Sequence, residues 1–70
     1  MTTIEIRGEF IELATLIKLA GISSTGGQAK LMIENNEVKV NGEIDTRKRA
    51  KIRPGDLVEI FDYKISVVTI

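Results

Sequence analysis

The chain contains no cysteine and no histidine. The first absence removes disulfide staples and thiolate metal sites, and the second removes the commonest zinc ligand and the side chain most often used as a base near neutral pH. Tryptophan is missing, proline occurs once, and the aromatic set is Phe10, Phe61 and Tyr63. No uninterrupted apolar run exceeds three residues, far below the roughly 20 that span a bilayer. The N-terminus has neither a charged nor an apolar leader pattern. Net charge is lacking too: ten Lys plus Arg balance ten Asp plus Glu, so no global field draws the chain to a polyanion or a membrane. These absences lead us to expect a soluble cytoplasmic protein with neither cofactor nor metal, whose electrostatic function is local.

What remains is enough to fold. Seventy residues make one domain, 1–70, since a chain of this size buries only about 60% of its unfolded surface. A hydrophobic fraction of 43% is too rich for a disordered polyampholyte. Residues 3–7 alternate apolar and polar before Gly8, which predicts a half-buried strand. From Phe10 the period becomes helical through Leu13, Ala14, Ile17 and Ala20, with Leu16 widening the stripe, Lys18 opposite it and Gly21 as the stop. Thr25 and Gln28 stand at capping-box spacing, so a second helix starts near Gly26. Its stripe is Ala29, Met32 and Ile33, Lys30 and Glu34 form an i,i+4 pair, and Asn36 suits a left-handed C-terminal cap.

Beyond that helix, residues 37–44 alternate around Asn41-Gly42, the sequence that a type I′ hairpin turn favours, with Lys39 pointing away from Val38 and Val40. Pro54-Gly55-Asp56 marks another turn, followed by strands over 57–61 and 64–70. The expected fold class is α+β, two helices packed on a small, mainly antiparallel sheet.

The neutral total conceals segregation. Residues 1–38 sum to −2, 39–53 to +4 and 54–70 to −2. Were 46–53 extended, Arg47, Arg49, Lys51 and Arg53 would share one face at about 6.6 Å intervals, with Lys39 and Lys48 nearby. Such a stripe reads either as a solvated edge that blocks aggregation or as a polyanion-binding ridge, and the separation of signs favours the second. Phe10 and Phe61 sit in apolar patterns that suit core packing. A sheet that stacks unpaired bases is therefore not expected, which leaves phosphate-dominated recognition of folded RNA.

From Glu12 to Gly42 the sequence resembles, without a gap, the RNA-binding domain named for ribosomal protein S4, also called the alpha-L RNA-binding motif. Leu19-Ala20-Gly21-Ile22, Ala29-Lys30, Ile33 and Val38-Lys39-Val40-Asn41-Gly42 carry the resemblance, and Pro54-Gly55-Asp56 before Leu57-Val58-Glu59-Ile60 continues it. The stretches 26–30 and 43–49 are similar to signatures of small stand-alone members associated with ribosomes, ribosomal RNA or ribosome maturation. The resemblance implies an RNA-gripping surface formed by the two helices and the following hairpin. The candidate contacts are Thr25, Gly26, Gly27 and Gln28 at a helix terminus, with Lys30, Lys39, Arg47, Lys48, Arg49, Lys51 and Arg53 as charge donors. Glu12 and Gly26 stand where many members carry arginine, so either binding has moved toward 47–53 or affinity is weak. The glycine pair would let a phosphate approach backbone N–H groups, or is a plain turn into a helix. Lys30 reads equally as a partner of Glu34, Lys39 as outer-face solvation and Gln28 as a capping residue.

Two other classes compete. A ubiquitin-like β-grasp module shares the opening strand, the Val-Asn-Gly-Glu stretch and a Gly-Asp turn; sulfur carriers act through a C-terminal Gly-Gly where this chain has Val67-Val68-Thr69-Ile70, which leaves a β-grasp protein-interaction module without carrier chemistry as the alternative. An enzyme wants a base placed beside a nucleophile, and neither that arrangement nor a complete glycine fingerprint is present. The expectation is a non-catalytic, monomeric binder of structured RNA.

Overall fold

The computed structural model describes residues 1–70. In chain order the elements are β1 (Thr2–Ile6), β2 (Ile11–Glu12), α1 (Leu13–Leu19), α2 (Gly26–Glu34), β3 (Val38–Val40), β4 (Glu43–Ile44), β5 (Lys51–Ile52), β6 (Leu57–Ile60) and β7 (Tyr63–Thr69). Five strands form one sheet in the order β1-β7-β6-β3-β4, while β2 and β5 make a separate two-stranded ribbon. Only β1 and β7 run parallel, Thr2 opposite Ile65 and Ile6 opposite Thr69, so the sheet is mainly antiparallel as expected.

Period-2 alternation divides the sheet into two faces. Val38, Val58, Ile60, Ile65 and Val67 are fully buried, together with Leu13, Leu16 and Ile17 of α1 and Ala29 and Ile33 of α2. These form one core cluster between the helices and one sheet face. Each Leu or Ile buried there contributes about 1.5–3 kcal/mol against exposure. The other face carries the cross-strand row Ile44, Lys39, Glu59 and Lys64. No helix is long and apolar enough to cross a membrane.

Both helices end in the same way. Ile22 N–H donates to Ile17 C=O and Gly21 N–H to Lys18 C=O, and the pattern recurs with Glu37 on Met32 and Asn36 on Ile33. The residue after each cap is left-handed, Gly21 at φ 79° and Asn36 at φ 60°, as a double-bonded C-terminal cap requires. Asn41 and Gly42 likewise take φ 52° and 87° in the β3–β4 hairpin.

Several expectations fail. α1 begins at Leu13 instead of Phe10, because Ile11 and Glu12 pair with Ile52 and Lys51 and so take extended backbone. Phe10 is 40% exposed, Phe61 64% and Tyr63 55%, so none of the rings fills the core. Segment 46–53 is not one extended strand: Ala50 N–H donates to Arg47 C=O in a turn, and only Lys51 and Ile52 are in a strand. Lys30 and Glu34 do not meet, since Arg47–Asp45 is the one ion pair in the chain.

Candidate nucleic-acid interface

The basic loop is bent by its own side chains and then fastened to a helix. Asp45 accepts from the Arg47 backbone N–H at 2.9 Å and from its Nε and Nη2 at 3.1 and 2.8 Å. The Arg47 hydrogen bond is the main reason that the Asp45 carboxyl lies below its ordinary range, and Asp45 in turn raises Arg47. Further along, Ala50 C=O accepts from Leu13 N–H at 2.9 Å and Lys48 C=O from Ala14 N–H at 3.0 Å. The first amides of a helix have no internal acceptor, so these two carbonyls cap α1. The turn presents its side chains beside both helices.

The result is a cleft of about 310 Å³ lined by Glu12, Ala14, Thr15, Lys18, Gly26, Lys30, Lys48 and Arg49. Four cations from α1, α2 and the loop face one carboxylate there. A second hollow, of about 370 Å³, is lined by Arg47, Arg49, Ala50, Lys51 and Arg53 and shares Arg49 with the first. The two make one continuous cationic surface. A larger hollow of about 550 Å³ at the β3–β4 hairpin sets Glu43 and Asp45 against Arg47 and has no excess of cations.

Thr25 caps α2, its Oγ1 accepting from Gln28 N–H at 3.1 Å and its C=O from Ala29 N–H at 3.2 Å. Gln28 Oε1 accepts from Ser24 N–H and Ser24 Oγ, one residue earlier than a capping box would place it. The N–H groups of Gly26 and Gly27 have no acceptor in the chain. A Cβ at Gly26 would meet nothing within 4 Å, so the backbone there is open to close approach.

Most of the candidate set therefore converges, with differences. Gly26, Lys30, Lys48 and Arg49 share the first cleft, and Arg47, Arg49, Lys51 and Arg53 the second. Arg47 is offset by Asp45. Lys39 lies on the outer sheet face opposite Ile44 and Glu59, outside both hollows. Asn41 is occupied structurally, its Nδ2 donating to Asp56 and its Oδ1 accepting from Leu57 N–H. Lys18 belongs to the cleft although its segment has a negative sum. The signal for it was local: it is the only cation on α1, in the turn just before the short connection to α2.

The chain is similar to known proteins. The S4 domain family matches residues 4–68. The chain is 45% identical over 58 residues to YbcJ of Escherichia coli (strain K12), covering 83% of each chain. It is 44% identical over 57 residues to RlbA of Bacillus subtilis (strain 168), named as a probable ribosome maturation protein, covering 81% of this chain and 80% of that one. The solution structure of E. coli YbcJ, described as revealing an alpha-L motif involved in RNA-binding, superimposes with a TM-score of 0.76 at 40% identity, covering 97% of this chain and 87% of that one.

Proposed function

The chain belongs to the S4 domain family, and from that premise we propose that it binds structured RNA without catalysis, holding phosphates on the cationic surface. The observation that carries this reading is the convergence of Lys18, Lys30, Lys48 and Arg49 from three chain segments around the open N-terminus of α2. Phosphate contacts of this kind supply affinity and register, and the free amides of Gly26 and Gly27 add donors at the positive end of the helix dipole. Similarity to a protein named for ribosome maturation makes ribosomal RNA in the cytoplasm the favoured target. Every cation of that surface belongs to one copy of the chain, so the reading calls for no second copy.

Reversing Lys30, Lys48 and Arg49 together to Glu tests this. All three side chains are exposed, so each substitution should change stability by under about 0.5 kcal/mol. The caps on α1 use the backbone of the loop and survive. Cosedimentation with ribosomal subunits and binding to a hairpin RNA should both be lost while the chain keeps a cooperative thermal melt within about 10 °C of wild type. Wild-type association by the triple variant overturns the proposal. A protein partner retained after nuclease treatment and after the triple reversal would instead favour an interaction module.

A further inference from the structure

Three rings are exposed, and their surroundings differ. Phe61 and Tyr63 sit at the β6–β7 hairpin among Glu59, Asp62 and Lys64, and none of these residues lines either cationic hollow. Phe10, between Glu9 and Glu12 in the sequence, is the ring that meets a residue of the cationic surface, Lys51. In the β2–β5 ribbon Ile52 is buried and Ile11 half-buried, so Ile11 and Ile52 turn inward while Phe10, Glu12, Lys51 and Arg53 turn to solvent. Continuing the register by one residue sets Phe10 opposite Arg53. Lys51 Nζ lies 5.1 Å from the centroid of the ring. The core does not require this ring, since Ile11 and Leu13 supply the buried contacts on either side.

We infer that Phe10 is a stacking platform for one unpaired base of the RNA, with Lys51 and Arg53 holding the phosphates that flank that nucleotide. The inference rests on the RNA-binding reading and narrows its substrate class. An uninterrupted duplex keeps its bases stacked on one another and offers no free π-face, whereas a bulge, a loop or a helix end does. The ligand is then a helical RNA interrupted by an unpaired nucleotide: the paired part meets Lys18, Lys30, Lys48 and Arg49, and the extruded base meets Phe10. An exposed Lys51 gains little from its contact with the ring, and it can turn to a phosphate when a base takes its place.

Three probes test the platform: an RNA hairpin with one bulged adenosine in its stem, the same hairpin with an abasic residue at the bulge, and the fully paired hairpin. Each is titrated with the wild-type chain, Phe10→Leu and Phe10→Tyr. Leu keeps the bulk of the side chain without a π-face, and Tyr keeps the ring. Wild type and Phe10→Tyr should bind the adenosine bulge about tenfold tighter than the abasic one, and Phe10→Leu should bind both alike with unchanged affinity for the paired hairpin. Salt-dependent binding of all three probes by wild type without preference for the base overturns the platform and leaves the RNA-binding reading intact. A uniform loss over all three probes in Phe10→Leu overturns it as well, because the ring would then act through the fold. Absence of salt-dependent binding to any probe overturns both readings.

Discussion

Asp45 takes three hydrogen bonds from Arg47, and with them it removes one positive charge from a surface otherwise rich in them. Its carboxyl is depressed in the folded chain, so the stabilisation is complete above the unfolded pKa and is lost as pH falls through the folded one. Asp45→Asn should therefore narrow the stability difference from wild type on acidification, as read by thermal melts over a pH series. At neutral pH the same variant releases Arg47. If Arg47 then meets a phosphate, the salt dependence of RNA binding should steepen by about one unit of log–log slope. At this scale the sequence was legible wherever one residue decides its own conformation, as at Gly21, Asn36, Asn41 and Gly42. It was not legible for Phe10, whose fate depends on Ile52 and Lys51 some 40 positions away.

Elements owe their limits to such distant partners. The period of 10–20 marked a helix correctly, but pairing with β5 claims Ile11 and Glu12 for a ribbon, and α1 keeps seven residues. The five basic residues of 47–53 likewise could be counted in the sequence, although their bend around Asp45 and their fastening to Leu13 and Ala14 could not. The two turns that frame the ridge are joined through Asn41, whose amide bridges Asp56 and Leu57, while Asp56 also accepts from Arg53 N–H at 2.8 Å. Asn41→Gly keeps the positive φ and loses the bridge, at about 1 kcal/mol. Asn41→Ala loses both and should be less stable than the glycine variant by about a further 1 kcal/mol. Chemical denaturation of the pair resolves the two contributions.

Considered whole, the molecule is electrically balanced, yet it gathers cations from both helices and the loop on one surface, while Lys39 and Lys64 flank Glu59 on the outer sheet face. Under the proposed function, attraction to RNA is short-ranged and steeply salt-dependent. Neutralising four to six phosphates predicts a plot of log affinity against log salt with a slope of roughly −3 to −5, measurable by titration at several ionic strengths. A flat plot would exclude phosphate-dominated binding. The capping of α1 by the carbonyls of Lys48 and Ala50 has a last consequence. The backbone that carries the gripping side chains is already preorganised when the ligand arrives, so its ordering entropy falls on folding and leaves affinity undiminished. Changes of side chain at 48 and 49 can retune target choice while the scaffold beneath them stays as it is.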